Sequence, residues 1–377
     1  MRVKDWLICG LAAIFIAAYL IWIPPYIEQG LLQDPYSEWV MPEDEGYTGI
    51  LTVWHIVGFK PYAGSCGEWL KARAKALEKQ HYGIYVEVLS MSLEDCEARL
   101  ARGETADIYS FPLGWGYAER FLPLERSFSG LKAGLLETGM QEGVQYAVPF
   151  MLSGYALLVN TKLAQARQVS LPEAAVDAQW LNDAAKKLTY ETGKNRKVNY
   201  EGLTGGAVIA MLLGAAVPVG DYSVFQAQRA GMAVAELRAA GDLTRAQTAA
   251  KGFAFEALPL NNYTDLVQYL GIARGIDVRK LPYAYEYLQI AVEEKAQEAL
   301  STLGAFPVTD AELSYEQAIV QQTYELLKDP VIPNAFLYQR YKSALLDTAN
   351  RALNGDEAAK TDFLGRVEEL VNGKEIK

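Results

Sequence analysis

The residues able to do covalent or metal chemistry are few and poorly spaced for it. Two histidines, His55 and His81, and three cysteines, Cys9, Cys66 and Cys96, lie too far apart along the chain to build a zinc site. Gly64-Ser65-Cys66-Gly67 is one residue short of the G-x-S-x-G nucleophile elbow. Gly193-Lys194 lacks the glycine five residues earlier that a phosphate-cradling P-loop requires. Gly114-Trp115-Gly116 fails as a dinucleotide fingerprint because Glu119 stands where the third glycine belongs. The 46 carboxylates leave a glycosidase pair open by number, but no spacing selects two of them. No motif for covalent or metal chemistry is complete. Ligand pockets are commonly lined by aromatic walls with hydrogen-bonding groups between them, and the 23 tyrosines suit that task, although many must serve the core or the surface.

Such groups need elements to hold them. From Gly49 onward the chain alternates strand and helix. Ile50–Trp54 reads as a strand, 65–80 as a helix with Trp69, Leu70, Ala74 and Leu77 on one face, and Ile84–Leu89 as a second strand. Ser92, with Asp95 three residues on, caps a helix over Leu93–Ala101, and Asp107–Phe111 is a third strand. This order predicts an α/β fold with doubly wound parallel sheets. Further strands are expected at 144–151, 155–160 and 253–258. A helix follows Asp177, another follows the glycine-rich 202–206, and the chain beyond Leu281 is nearly all helix. There is no internal repeat and no low-complexity tract.

Ligands of open parallel sheets sit beyond the carboxyl ends of the strands. That places His55, after the first strand, and Ser110 and Phe111, ending the third, among the candidate contacts. His55 is either a ligand contact or a satisfied polar residue at a strand end. Trp115, between two glycines, is either a stacking platform or a core residue. Gly205 and Gly206 precede a helix, so their amides meet a polar ligand group or simply make a tight turn.

The formal charge of −11, from 35 basic and 46 acidic residues, repels polyphosphate and excludes groove-tracking nucleic-acid binding. Arg2 and Lys4 precede an uncharged run from Trp6 to Ile23, about 27 Å long as a helix and enough to cross a bilayer core. Pro24-Pro25-Tyr26 then offers no small-residue cleavage site, so residues 1–23 are expected to form an uncleaved transmembrane signal-anchor. No Lys or Arg occurs from Pro24 to Phe59, which places the bulk of the chain outside the cytoplasm by the positive-inside rule. The acidic stretch 24–47 reads as an extracellular linker.

An ordered set of short segments spans almost the whole exterior chain. It runs through Leu51-Thr52-Val53-Trp54-His55, Trp69-Leu70, Val86-Glu87-Val88 before Ser90-Met91-Ser92, and Ala106-Asp107-Ile108 before Ser110-Phe111. It continues with Tyr146-Ala147-Val148-Pro149, then Gly154 to Thr161, Gly231-Met232-Ala233, Leu258-Pro259-Leu260, Gly271-Ile272-Ala273 and a helix bearing Ala284, Tyr287 and Leu288. In this the chain resembles the extracellular solute-binding proteins of ABC importers, of the sugar and oligosaccharide type. The resemblance implies a two-lobed periplasmic-binding-protein-like fold with a hinge. The first crossing would lie around Pro149–Gly154 and the second around Asn262–Leu266. Residues 48–152 and 265–308 would form one lobe, 153–264 and 309–377 the other. It also implies that Tyr155 and Tyr263 flank the crossings, where they close over a ligand or pack the hinge. Glu236 and Arg238 fall where cleft-lining residues are expected; a charged pair there departs from the usual aromatics and amides. The implied function is capture of a small solute, a carbohydrate first, and its delivery to an ABC permease, with no cofactor. The alternatives are a cell-surface sensor on the same fold and, further off, a glycosidase. Right-handed crossovers would set Cys66 and Cys96 on opposite faces of the first sheet, roughly 20 Å apart given the ~10 Å spacing of stacked layers, so two free thiols are expected.

Overall fold

In the computed structural model, residues 47–132, 134–172, 175–192 and 198–373 are described. The expected membrane span and most of the linker lie outside them. Among the described residues no helix is long and apolar enough to cross a membrane.

Two five-stranded sheets organise the molecule. The first is built from β1 (Gly49–Ile56), β2 (Ile84–Met91) and β3 (Ile108–Pro112), which pair in parallel in the order β2-β1-β3. The short hairpin of β4 (Met140–Gln141) and β5 (Val144–Gln145) leads into β6 (Val148–Leu152), at the sheet's far edge. The second sheet holds β7 (Tyr155–Asn160), β8 (Tyr190–Thr192), β9 (Val198–Gly205), β10 (Ala230–Glu236) and β11 (Phe255–Pro259), ordered β11-β7-β10-β9-β8. The chain then returns to the first sheet as β12 (Val267–Ile272), which lies antiparallel between β3 and β6. Both sheets are therefore mixed, whereas strand–helix alternation alone predicts parallel ones. The returning strand arrives from the other lobe, not through a right-handed crossover, and so runs the opposite way.

Each sheet buries its strands under helices, which is why every residue of β6 and β12 is buried and all but Gln268 are apolar. The helices start where the sequence offers caps. The Ser92 hydroxyl accepts from the Asp95 amide, and Asp177 from Trp180. Cys66 opens the helix Cys66–Gln80 and Cys96 lies in Leu93–Ala101; both thiols are buried and free.

Three passages of the chain between the sheets bear on the site. Ser153-Gly154 links β6 to β7, and residues 260–266 link β11 to β12. The third passage is the helix Ala335–Leu353. Its Asn334 cap accepts from the Phe336 and Leu337 amides while donating to the Met140 carbonyl beside the first sheet. The same helix packs along Ala207–Leu212 of the second lobe. The passages are bonded to one another: Ser153 N–H donates to Leu266 O (2.9 Å), the Thr264 hydroxyl to Ser153 O (2.7 Å), and Thr264 N–H to Val331 O (3.0 Å). Gly154 is obligatory here, because a β-carbon would come within 2.6 Å of the Thr323 methyl and 2.9 Å of Leu327.

Candidate functional site

Each passage delivers one polar side chain to the space between the sheets. Tyr155 opens β7. Asp265 lies on the second passage. Tyr338 lies in the first turn of the helix Ala335–Leu353. The Tyr155 hydroxyl donates to Asp265 Oδ1 and the Tyr338 hydroxyl to Asp265 Oδ2, both at 2.5 Å. Burial and the charge of Asp265 hold both phenols well above their ordinary range, so they remain donors. Glu236 ends β10, opposite Tyr155 in the ladder, and its chain turns there into the helix Leu237–Thr248 as the Leu237 amide bonds Gly154 O. Its carboxyl is pushed up to about 7, first by burial and then by the charge of Asp265.

These groups border two confluent cavities of about 730 and 380 Å³, which share Tyr155, Gly206, Ala207, Glu236 and Leu346. The larger extends over the second lobe to Val219, Tyr222 and Arg238. The smaller reaches the first lobe at Phe59 and Pro112–Trp115. The size suits a small saccharide, and the lining mixes apolar surface with a few convergent polar groups. Beside the cleft the lobes touch. Arg238 Nη1 donates to Pro61 O (3.3 Å) and Arg245 Nη1 to Tyr62 O (3.2 Å), while both guanidinium groups pair with Asp242.

Of the positions expected from sequence, Tyr155, Gly205, Gly206, Glu236 and Arg238 share one cavity wall. The others are placed differently. His55 and Ser110 are buried, 3.0 Å apart, and Gln268 Nε2 donates to Ser110 Oγ (3.1 Å) and to Ile56 O (2.9 Å). Burial pulls the His55 imidazole down to about 4, so it is neutral and part of the core. Phe111 is fully buried, stacked between Phe121 and Tyr269. These three do not face the cleft because β1 and β3 are both interior strands, β1 between β2 and β3 and β3 between β1 and β12, and their side chains are buried. Trp115 touches the cleft wall but is only 2% exposed; its indole donates to Glu97 (2.8 Å) and its ring packs on Phe111. The flanking glycines explain this: Gly114 (φ 79°) and Gly116 (φ 82°) reverse the chain tightly enough to tuck the ring inward. The amides of Gly205 and Gly206 are committed to Gly220 O and Val234 O, which makes this a tight turn and not a donor pair for a ligand. Tyr263 is 5% exposed, and its hydroxyl, buried near Asp265, has no partner.

Asp265 and Tyr338 are the groups that sequence reasoning missed. Asp265 falls inside the expected second crossing and was open to detection as the one carboxylate there. Tyr338 lies on a helix whose pattern gives no hint of a cleft.

No family model matches the sequence, and no curated protein matches it. Solved structures match its fold. An ABC substrate-binding protein from Listeria monocytogenes in complex with cycloalternan shares 16% identity over 86% of this chain and 100% of its own, with a TM-score of 0.57. A cyclic alpha-maltosyl-1,6-maltose binding protein from Arthrobacter globiformis shares 14% over 86% and 98%, at 0.61. A Thermus thermophilus maltotriose binding protein bound with maltotriose shares 16% over 85% and 99%, at 0.52. The chain thus has the two-lobed α/β fold of these binding proteins.

Proposed function

We propose that this protein captures a carbohydrate in the cleft between its lobes and delivers it to an ABC permease, while residues 1–23 hold it at the outer face of the membrane. The observation that carries the reading is the cleft itself, with polar groups from all three passages converging on a cavity of saccharide size. The named ligands of the fold neighbours are oligosaccharides, which supports the ligand class. The anchor and the permease rest on the apolar run and the charge asymmetry of the N-terminus.

The mechanism needs no bond making. A ligand touching both lobes stabilises their closed arrangement by its differential affinity, and the closed form is what a permease distinguishes from the open one. Thermal-shift screening of the full chain in mild detergent tests this against maltotetraose, chitosan and chitin oligomers, amino acids and peptides. A true ligand at 100 times its Kd adds roughly 2.7 kcal/mol. Stabilisation by an oligosaccharide, with the sugar recovered intact, is the expected result. Stabilisation by peptides or amino acids alone overturns the ligand class, and release of more than one equivalent of cleaved product overturns the binding role.

A further inference from the structure

The cleft floor carries more negative charge than a neutral sugar uses. Glu236 and Asp265 line the same cavity, where burial first and then the charge of Asp265 hold the Glu236 proton, and only Asp265 is compensated, by two tyrosine hydroxyls. Among the described residues no basic side chain pairs with Glu236. Arg238, two residues on, is turned to Asp242 and the Pro61 carbonyl, and Lys342 is an exposed residue at the rim, its ammonium over the Tyr338 ring. Asp221, across the larger cavity, is committed to the Ser223 amide. The Tyr263 hydroxyl, buried and feeling the charge of Asp265, also lacks a hydrogen-bond partner among the described residues, but Tyr263 lines neither cavity.

We infer that the occupant of this cleft is an amine-bearing saccharide, whose ammonium group pairs with Glu236 over the Asp265–tyrosine floor. The inference rests on the carbohydrate-capture reading. Unlike a hydroxyl, an ammonium group relieves the repulsion between the two carboxylates and supplies the charge-assisted hydrogen bond that Glu236 lacks. Because that carboxyl titrates near neutrality, binding a cation draws off its proton and becomes linked to pH.

The test is titration calorimetry on the full chain with three probes: chitosan tetraose, its N-acetylated counterpart chitin tetraose, and maltotetraose. The expected result is at least tenfold tighter binding of chitosan tetraose than of chitin tetraose. Its affinity should fall several-fold from pH 7 to 5.5 as Glu236 takes up a proton, set against the gain from protonation of the sugar's own amines over the same range. In Glu236→Gln both the preference and this fall in affinity disappear, with a melting curve at pH 5.5 confirming the fold. Equal binding of chitin tetraose or maltotetraose overturns the inference and leaves carbohydrate capture standing. A preference for the amine that survives in Glu236→Gln also overturns it, tracing the effect to the acidic surface as a whole. Failure of all three saccharides to bind removes both readings.

Discussion

Two buried polar clusters in this protein look alike in composition and differ in what their atoms meet. In the first lobe, His55, Ser110 and Gln268 sit together deep in the sheet. They bond one another and the Ile56 carbonyl, and the imidazole stays neutral. On the cleft floor, Asp265 takes two tyrosine hydroxyls, while Glu236 has burial and like charge against it and, among the described residues, no basic side chain paired with it. The first cluster is complete without a ligand. The second is not. Burial alone therefore does not mark a site; what marks it is polar capacity that the protein leaves unmet.

The comparison is sharpest where a side chain expected to face ligand has gone into the core. Trp115→Ala should lower the stability of the ligand-free protein by about 3–5 kcal/mol, read by chemical denaturation, because it empties the packed cluster with Phe111 and Phe121. A loss below about 1 kcal/mol would return Trp115 to the ligand. Gln268→Leu should remove about 1–3 kcal/mol by stranding the Ile56 carbonyl and taking one of two partners from the Ser110 hydroxyl, which keeps His55, with oligosaccharide affinity unchanged.

Glu236→Gln works in the other direction. The carboxyl is raised in the folded state to about 7 from 4.5, so the native protein holds the extra proton between those values. Stability therefore grows as pH falls from 7 towards 4.5, and ionised Glu236 opposes folding above pH 7. Replacing it should stabilise the ligand-free protein by about 1–2 kcal/mol at pH 8 and by nothing at pH 5. His55 has the opposite sign. Its folded value of about 4 lies below 6.5, so stability is lost as pH falls through that window. The two slopes offset each other in the wild type from pH 6.5 to 4.5, and Glu236→Gln should expose the histidine slope in melting curves taken across that range. The smallest effect is Arg245→Ala, which deletes a half-exposed contact to Tyr62 O and should change stability by about 0.5 kcal/mol or less. Small-angle scattering should instead show a larger share of open molecules.

Much of the fold was legible because it is written locally. Val148 to Leu152 is a continuous apolar run and Val53 to Ile56 is one broken only by His55, Ser92 and Asp177 are caps, and the order of elements fixed the neighbours of β1. The direction of β12 was not legible, since it depends on a strand returning from another lobe. At the site, Tyr155, Glu236 and Arg238 came from the family resemblance, which implies a crossing beside the first and a cleft wall at the other two. His55, Ser110 and Phe111 were misplaced because the last residues of a strand face a cleft only where they are left uncovered, and those of β1 and β3 are packed inside the sheet. Tyr338 acquires its role from the packing of a helix 73 residues downstream of Asp265, a relation no local pattern records.

The bonds that join the three passages bear on how the lobes move. A hinge made of single strands would open by loosening its own peptide groups. Here the amides of Ser153, Thr264 and Val331 are each held by a carbonyl of another passage or its flank. The passages must bend together as a laminated strip, with curvature shared over several residues and no bond released. The amide protons at the pivot should then be among the slowest in the molecule to exchange with deuterated solvent, whichever way the lobes swing.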